Sequence, residues 1–580
     1  MNDDRALTAA TPLRASLLAW FVSRAEPILL GLVGNAIALK FLLIFRINVH
    51  WDEFYFLSFV HDYARGALEA RFQTFHVHLF SWLAGLGADE IGQILAARFV
   101  IAILAAASAL LIYAIVRRFA ARDAALFSVL VYLSLPVVVD HGTSFRTDPI
   151  ATFLVLLALL SLLRGSGNWI GAALAGAATG LAALITIKTA FYLPVIAGVI
   201  WCASPSIGGR ARLAAAFSVA LALSSSTLYL AHGASLKSEP QIAAASYLGG
   251  AASKVLFEDG LFPRWADFLI VVAQNPFFWI MAVAGAGLVW RKARSASNRE
   301  DWLPLVLALP LLTPLIYRNA FAYYFVFALP SAAVLIALFY AEQRRRAAAE
   351  PKSPAIAVIA LMIVAHGVLL GVKAWQNHGD KVAPQRAVLA AVHGMFPQPV
   401  PYIDGYGVVG TFPRYGFFMS SWGMQIYQKT GRPYYPDLIA QAQPPLLLAD
   451  SPSLYAALIP DVTVKEERRL LPEDVRFLQD NYVQHWGLIF VAGKKLRPPA
   501  AGGRAGFETA IAGDYRLEAA APLTIDGVSV QPGEIVTLGS GEHWFQAERM
   551  APDAVLRWAN VTNPPSDEPV HLLTFFGVNR

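Results

Sequence analysis

Charged side chains are scarce in this sequence. Of its 580 residues, 15% are Asp, Glu, Lys or Arg, whereas a soluble protein carries about 25%. Hydrophobic residues make up 56% of the chain, and its mean hydropathy is +0.50. Uncharged apolar runs near the length that crosses a bilayer, about 20 residues, recur through the first two thirds. The composition therefore excludes a soluble protein and predicts a polytopic α-helical membrane protein.

Cysteine is nearly absent as well. Cys202 is the single cysteine and lies in an apolar run, which excludes intramolecular disulfides and cysteine-based metal sites. The formal charge of +6 and the pI of about 9.2 would fit nucleic-acid binding in a soluble protein. Here the basic residues gather in short segments between apolar runs, which is the pattern that orients membrane helices. We therefore expect membrane lipids as partners and no nucleic acid.

The apolar runs predict eleven transmembrane helices. We place them at residues 28–47, 93–115, 124–139, 149–163, 169–187, 190–203, 213–231, 268–290, 302–317, 321–340 and 355–375. Most basic residues fall in alternate segments, so the positive-inside rule places residues 1–27 in the cytoplasm. No cleavage site of small residues follows, and we interpret the first span as retained. The odd number of spans puts residues 376–580 outside, in the periplasm of a bacterium whose inner membrane holds the protein.

The region after the last span contains no bilayer-length apolar run and is predicted to be an extracytoplasmic α/β plus β-sandwich-like region. Short strands are predicted at residues 401–404, 446–450, 488–491, 515–518, 523–527, 535–538, 543–546 and 555–558, with a helix at 473–481. Residues 498–506 are rich in Pro, Ala and Gly and are predicted to be a linker. We therefore expect an α/β region at 376–497 and a β-rich domain at 507–580.

An acidic pair, Asp52 and Glu53, directly follows the first span and begins the outer loop 48–92. An ionised carboxylate near hydrocarbon costs roughly 3 kcal/mol, so such residues tend to be functional. A carboxylate at the interface can remove a proton from an acceptor hydroxyl. The alternative is a helix cap, because Asp and Glu favour first turns. The residues alone leave both interpretations open.

Further charged residues lie at helix mouths on the same predicted side. Arg146 and Asp148 open the fourth span, where arginine suits a phosphate and the carboxylate suits a metal or a substrate; Asp before Pro is also an ordinary helix start. Lys188 lies in a tight outer turn, from which it can contact a lipid phosphate or snorkel without any function. Arg98, early in the second span, needs an acidic or phosphate partner.

His76 and His78 form a His-x-His motif late in the first outer loop. They would serve a metal only if the local structure aimed both rings at one point, and one packed plus one interfacial histidine is the favoured interpretation. Arg318 and Tyr324 belong to the tight outer turn between the ninth and tenth spans and its continuation. Tyrosines at that depth are usually anchors at the membrane interface.

These motifs follow one another in an order that resembles the GT-C glycosyltransferases that use polyprenyl-phosphate sugars. The order is an acidic pair after the first span, Arg-x-Asp opening the fourth, Lys in a turn after the fifth, and a basic–aromatic–Pro stretch late in the bundle. The resemblance covers residues 28–340 and includes the aminoarabinose transferases of lipid A, the lipid A galacturonosyltransferases and the protein O-mannosyltransferases. It implies that residues 28–375 form a GT-C-like transmembrane catalytic domain.

The resemblance implies roles for the acidic residues. Asp52 matches the catalytic carboxylate, which would deprotonate the acceptor hydroxyl, and Glu53 matches its partner. Asp148 matches an acid that helps to form the polar cavity. No cofactor is required; a divalent metal near Asp52 and Asp148 is compatible with the sequence, although nothing in the sequence demands it.

The resemblance also implies a set of residues near the donor and its phosphate: Arg146, Asp148, Lys188, Arg318, Tyr324, His76 and His78. The chain departs from the family in two places. Family members often carry Lys-Pro-Pro where this chain has residues 75–78, and a histidine could replace that lysine when protonated or as a neutral donor. Thr189 stands where a glycine usually follows the later lysine. Both departures leave the donor sugar open.

The implied activity is an inverting transfer of a sugar from a polyprenyl-phosphate donor to a lipid A, glycan, lipid or protein acceptor at the outer face. The absence of a nucleotide-binding loop fits such a donor. The alternative is a membrane transporter or a lipid or polysaccharide flippase, which would usually show mid-span charges and matching halves. A non-catalytic scaffold would leave the acids and lysine unexplained. Trp422, Tyr427 or Trp544 could bind an acceptor glycan or serve the core of their own module.

Overall fold

The computed structural model describes residues 20–87, 89–165, 167–236, 260–295, 298–350, 353–460, 462–497, 503–547 and 554–576. Most of the predicted cytoplasmic segment therefore lies outside the described residues. The chain divides into two compact units. The first comprises residues 1–47, 65–80 and 95–380, and the second comprises residues 48–64, 81–94 and 381–580.

The helices dominate the first unit and recur in the second. In chain order they are α1 (Ala25–Leu43), α2 (Trp51–Arg65), α3 (His76–Phe80), α4 (Glu90–Val116), α5 (Arg122–Ser134), α6 (Pro136–His141), α7 (Thr147–Arg164), α8 (Trp169–Ile185), α9 (Leu193–Ala203), α10 (Ile207–Ser235), α11 (Trp265–Gln274), α12 (Pro276–Ser295), α13 (Leu303–Leu307), α14 (Phe325–Ala328), α15 (Ala333–Ala349), α16 (Ala355–Gln376), α17 (Ala383–Met395), α18 (Ser421–Thr430), α19 (Tyr435–Ala442), α20 (Pro452–Leu458), α21 (Pro472–Asn481) and α22 (Leu572–Phe576).

Within the described residues, six helices are long and apolar enough to cross a membrane: α1, α4, α7, α10, Ala322–Ala349 and α16. The bent pair of α11 and α12 makes a seventh if both count as one span. Shorter apolar helices are α8 and the segment Ile187–Ala203. These helices lie where the apolar runs predicted spans, which confirms the polytopic α-helical architecture. The count of eleven stays a prediction.

Prolines interrupt three of the predicted spans, at 124–139, 268–290 and 302–317. In the second of these, α11 and α12 break at Asn275 and meet at 95°. Pro276 has no N–H to donate and disfavours helical backbone at the residue before it. The predicted span 124–139 breaks in the same way before Pro136. The predicted span 302–317 turns into a 3₁₀ segment that contains Pro310. Each was predicted as one helix and is two shorter elements.

Glycines let α8 pack closely against α10. A Cβ atom built on Gly176 would overlap the carbonyl oxygen of Phe217 and lie 3.0 Å from the backbone nitrogen of Leu221. Gly180, one turn later, is as close to Ser224. Small residues four apart on one face allow close contact between membrane helices. This packing fixes the end of α8, after which the turn that carries Lys188 begins.

The strands all lie in the second unit. They are β1 (Tyr402–Ile403), β2 (Arg414–Tyr415), β3 (Leu446–Leu448), β4 (Tyr482–Trp486), β5 (Ile489–Leu496), β6 (Arg504–Thr509), β7 (Gly513–Glu518), β8 (Leu523–Ile525), β9 (Val528–Val530), β10 (Ile535–Leu538), β11 (Gly541–Ala547) and β12 (Ala554–Trp558). One eight-stranded sheet has the order β10-β7-β12-β5-β3-β1-β2, and β4 also pairs with β5. β1 runs parallel to β2 and β3, and the other pairs in this sheet are antiparallel. A second, antiparallel sheet has the order β6-β11-β8-β9.

The sequence pattern located the strands of this unit well. All eight predicted strands are present, as β1, β3, β5, β7, β8, β10, β11 and β12, and α21 covers the predicted helix. The predicted linker at 498–506 is wrong at its end, because residues 504–506 already belong to β6; residues 498–502 lie outside the described residues. Since β12 pairs with β5, strands from both predicted regions share one sheet. The boundaries of the two regions stay a prediction.

The last described helix, α22, packs against α2. The rings of Phe54 and Phe575 are fully buried and stack with centroids 6.2 Å apart. The side chain of Asn48 donates a hydrogen bond to the carbonyl oxygen of Phe576 at 2.6 Å. The helix that begins at the acidic pair is therefore anchored by the end of the described chain.

Candidate functional site

Buried charges of both signs come together where α7 begins. Lys188 Nζ lies 2.5 Å from Asp148 Oδ1, and Arg146 Nε lies 3.7 Å from Asp148 Oδ2. The three side chains are 10%, 2% and 5% exposed for Lys188, Asp148 and Arg146. Arg146 directly precedes α7, and Lys188 lies in the 3₁₀ turn Ile187–Tyr192. The structure thus joins three predicted site residues, which we call the basic cluster.

Two tyrosines line the basic cluster. Arg146 Cζ lies 3.5 Å from the centroid of the Tyr323 ring, and Lys188 Nζ lies 5.1 Å from the same centroid. The Tyr324 ring lies 5.9 Å from Lys188 Nζ, and its hydroxyl hydrogen-bonds with Thr313. Cation–π contacts of desolvated cations are worth up to about 2 kcal/mol. The sequence pointed to Tyr324 and missed Tyr323, since no local signal separates two adjacent tyrosines.

The chemistry of the basic cluster favours an anionic ligand. Its charged members, two cations and one carboxylate, sum to a net charge of +1. Guanidinium and ammonium groups are the side chains that bind phosphate most strongly, and a partly desolvated site strengthens such contacts. Asp148 lies in the first turn of α7, as expected of an Asp before Pro, and also pairs with Lys188.

Arg318 lies in the turn that precedes Tyr323. Its carbonyl oxygen accepts a hydrogen bond from Arg264 Nε at 3.1 Å. The Arg264 guanidinium in turn lies 4.2 Å from the centroid of the Phe321 ring. The structure therefore brings Arg264, which the sequence did not indicate, to this turn. A role of Arg318 near the donor stays a prediction.

His76 and His78 lie in the short helix α3 and have different neighbours. His78 Nε2 hydrogen-bonds with His232 Nδ1 at 2.8 Å, and His232 Nε2 with Thr74 Oγ1 at 2.9 Å. His76 is buried, and its ring meets the ring of Phe145 edge-on at 6.2 Å. Residues two apart on a helix do not share a face. Phe145 directly precedes Arg146, so His76 packs next to the basic cluster.

Burial lowers the pKa of His78, because it disfavours the charged ring. His78 is therefore neutral near pH 7. A contact from His78 to a phosphate would then be that of a neutral donor and not of a cation. Its partner His232 lies 154 residues away in sequence, so no local pattern could reveal the pair.

Other charged side chains of the first unit hold helix ends. Lys40 Nζ donates to the carbonyl oxygen of Val138 at 2.6 Å, and Lys373 pairs with Asp140 at 2.6 Å. Arg98 donates to backbone carbonyl oxygens just after α1, at 2.7 and 3.1 Å. Lys40, Asp140 and Lys373 were missed because each is a single charge in an apolar run.

In the second unit, α2 begins with a reciprocal cap. Glu53 Oε1 accepts a hydrogen bond from the backbone N–H of His50 at 3.0 Å, and His50 Nδ1 accepts one from the N–H of Asp52 at 3.3 Å. This arrangement is similar to a capping box, in which the N-cap and third helical residues satisfy each other's donors. Glu53 is fully buried, whereas the Asp52 side chain is 17% exposed. The cap that the sequence offered as an alternative is therefore made by Glu53.

A buried tyrosine lies beside Asp52. The Tyr406 ring stacks on Trp51 with centroids 5.6 Å apart. Burial is the main cause that raises the pKa of Tyr406; the charge of Arg468 lowers it, and the charges of Asp450 and Asp52 raise it further. Asp52 thus lies beside a buried aromatic ring.

A metal role for Asp52 and Asp148 stays a prediction. Among the described residues, no group of three or more His, Cys, Asp or Glu side chains is arranged to hold a metal ion. The two carboxylates belong to different units of the chain.

A family model matches part of this chain. The model of dolichyl-phosphate-mannose-protein mannosyltransferases matches residues 76–232. The match runs from His76 to His232 and includes Arg146, Asp148 and Lys188. No sequence among the curated proteins matches this chain significantly.

Solved structures match most of the chain at low sequence identity. ArnT from Cupriavidus metallidurans bound to undecaprenyl phosphate matches with a TM-score of 0.52 at 16% identity, covering 76% of this chain and 96% of that one. The oligosaccharyltransferase of Archaeoglobus fulgidus in the apo form matches with a TM-score of 0.53 at 11% identity, covering 93% and 98%. AglB from Archaeoglobus fulgidus, in complex with an inhibitory peptide and a dolichol-phosphate, matches with a TM-score of 0.50 at 10% identity, covering 95% and 98%. The chain therefore has the fold of the GT-C glycosyltransferases, as the order of its motifs predicted.

Proposed function

We propose that this protein is an inverting glycosyltransferase of the bacterial inner membrane, with its N-terminus in the cytoplasm and its C-terminal region in the periplasm. It moves a hexosyl or pentosyl group from a polyprenyl-phosphate donor to a lipid A, glycan, lipid or protein acceptor at the outer face. The observation that carries the proposal is the basic cluster, which brings a buried Arg and Lys to one point beside two tyrosines. Its occurrence within the GT-C fold supports a lipid-phosphate ligand, because relatives with this fold are bound to undecaprenyl phosphate or dolichol-phosphate.

The donor phosphate is proposed to lie at the basic cluster. As the bond between the sugar and the phosphate breaks, negative charge develops on the departing polyprenyl phosphate. Lys188 and Arg146 stabilise that charge, and a group fixed in place before the reaction does so without reorganisation. Asp148 orients Lys188 through their ion pair, and Tyr323 holds the Arg146 guanidinium.

Asp52 is proposed as the general base. It takes the proton of an acceptor hydroxyl, whose oxygen attacks the anomeric carbon from the face opposite the phosphate. The new glycosidic bond forms as the bond to phosphate breaks, so the configuration inverts. Glu53 acts as a positioning residue, since its bond to the His50 N–H fixes the first turn of α2 from which Asp52 projects.

The test is sugar transfer by the purified full-length protein from a panel of polyprenyl-phosphate sugars. Asp52→Asn should lower kcat at least about 100-fold, as removal of a general base commonly does, and Asp62→Asn on the same helix is the matched control. An Asp52→Asn protein that melts like wild type and retains full activity would exclude Asp52 as the base. A wild type inert with every donor, but active in moving lipid across vesicles, would favour a flippase.

A further inference from the structure

A cavity of about 520 Å³ lies within the second unit of the chain. Six of its twelve lining residues are aromatic: Tyr55, Phe417, Phe418, Trp422, Tyr427 and Tyr434. We call it the aromatic cavity. Its single aliphatic branched residue is Ile426, and Ser420, Thr430 and Arg432 add polar groups. An acyl chain is best held by aliphatic side chains, whereas aromatic faces, which carry negative charge, attract the slightly positive C–H groups of a sugar ring.

The walls of the aromatic cavity are fixed by buried polar groups. Asp474 is fully buried; it accepts a hydrogen bond from the Tyr427 hydroxyl at 2.5 Å and from the Tyr434 N–H at 2.9 Å. Arg414, paired with the buried Asp404 at 2.5 Å, donates to the carbonyl oxygen of Phe417 at 3.0 Å. A cavity whose walls are set before binding loses little entropy when a ligand enters.

The aromatic cavity is lined by a residue of α2, the helix that carries Asp52. Tyr55 lies three residues after Asp52 on α2, so both project from one face of the helix, about 4.5 Å apart along its axis. The Tyr55 ring stacks on Phe418 with centroids 3.8 Å apart and planes 12° apart. Arg468, whose charge acts on Tyr406 beside Asp52, donates to Met419 O and Ser421 Oγ, both at 2.9 Å. One residue that lines the cavity therefore lies within one helical turn of the proposed base.

The contacts also rank the aromatic residues of this region. The Tyr427 ring stacks on Phe417 at 5.1 Å, so Tyr427 is part of the wall. Trp544, in the other sheet, has the Arg504 guanidinium 3.2 Å from its ring centroid, which covers one of its faces. Trp422 lines the cavity and is half-buried. Because Trp422 lines the cavity and Trp544 does not, a ligand in the cavity is expected to contact Trp422.

We infer that the aromatic cavity binds a sugar ring of the acceptor, which makes the acceptor a carbohydrate or the glycan part of a glycolipid. The inference rests on the proposed function for the role as acceptor, and on the cavity itself for saccharide binding. Arg432, exposed at the rim, accommodates neutral sugars as well as those with an anionic substituent. This inference narrows the proposed acceptor from a lipid, protein or glycan to a carbohydrate or a glycolipid.

The test measures binding separately from transfer. Fluorescently labelled full-length protein in detergent is applied to an array of bacterial mono- and oligosaccharides, and the affinity of each saccharide bound is then measured by calorimetry. Trp422→Leu should weaken binding about ten-fold, the upper range of a stacked aromatic contact, whereas Trp544→Leu should leave it unchanged. If Trp422→Leu fails to fold, Ile426→Trp serves as the second variant. This substitution at an exposed helix position fills the cavity and should abolish binding.

The outcomes separate this inference from the proposed function. Absence of saccharide binding by wild type, equal losses in Trp422→Leu and Trp544→Leu, or binding of a fluorescent fatty acid in place of sugars would each overturn the inference. Transfer with an unchanged acceptor KM in Trp422→Leu would overturn it and leave the proposed function intact. Saccharide binding without transfer from any donor would overturn the proposed function and leave the cavity a saccharide site.

Discussion

Replacing Asp148 by Asn should cost more stability than replacing its partner Lys188 by Met. At their separation of 2.5 Å and an effective dielectric constant of about 20, two unit charges attract each other by about 7 kcal/mol. Desolvation of both groups offsets much of this attraction. Asp148→Asn removes the carboxylate between two buried cations, which should cost about 3–5 kcal/mol. Lys188→Met leaves Asp148 within 3.7 Å of Arg146, so a smaller loss of about 2 kcal/mol is expected.

A double-mutant cycle measures the pair directly. The variant with both substitutions has a neutral side chain at each position and should be more stable than Asp148→Asn alone, with a coupling free energy of about 1–3 kcal/mol. The assay is the free energy of unfolding of the four proteins in detergent, from denaturant titration. Losses that add within about 0.5 kcal/mol would refute the ion pair as described. Sugar transfer should stay low in the double variant, because the proposed phosphate contact of Lys188 is missing.

Three further predictions concern packing, pH and the cap. Gly176→Leu should destabilise the protein by about 1–3 kcal/mol through overpacking between α8 and α10. Gly287→Ala is the control and should be neutral or stabilising, because an added Cβ meets nothing within 4 Å. Equal melting temperatures of the two variants would contradict the close helix contact. Asp450 is fully buried, and burial together with the charge of Asp404 raises its pKa well above the ordinary value. The folded protein therefore holds this carboxyl protonated at a pH where the unfolded chain has lost the proton. The stability that this provides is present at low pH and is lost as the pH rises above about 4. Wild type should therefore lose unfolding free energy between pH 5 and 8 more steeply than Asp450→Asn, and parallel curves would speak against the assignment. Glu53→Ala should lower kcat and should lower the free energy of unfolding by about 1 kcal/mol, as for a lost cap. Glu53→Gln can still accept the hydrogen bond from the N–H and should keep both near the wild-type values. A Glu53→Gln variant as impaired as Glu53→Ala would exclude the capping role.

The sequence predicted those parts of the fold that leave a local signal. Apolar runs located α1, α4, α7, α10 and α16, because bilayer-length hydrophobicity is a property of the segment alone. Alternating short runs and turn residues located the strands for the same reason. The interruptions at Pro136, Pro276 and Pro310 were visible as residues but were not used as helix breaks. Hydropathy averages over a window and is insensitive to one missing N–H.

The sequence predicted the charged residues of the candidate site but not the residues that pack against them. Arg146, Asp148 and Lys188 stand out because a charge beside a membrane span is costly, and the structure unites them. Tyr323 and His232 carry no such signal, since tyrosine and histidine are common at interfaces and their contacts are distant in sequence. The separate roles of Asp52 and Glu53 also required coordinates, because one carboxylate caps α2 and its neighbour does not.

The anchoring of α2 by α22 has a consequence for biosynthesis. α2 is made early, yet Phe54 and Asn48 are held by Phe575 and Phe576, more than 500 residues later. Contacts of such sequence separation form late, since a long loop must close before they are gained. The helix that carries Asp52 can therefore reach its final position only after ribosomal synthesis has passed residue 576. A nascent chain, or one terminated before α22, would carry the acidic pair without the support that orients it. Synthesis through α22 is therefore a condition for the proposed catalysis.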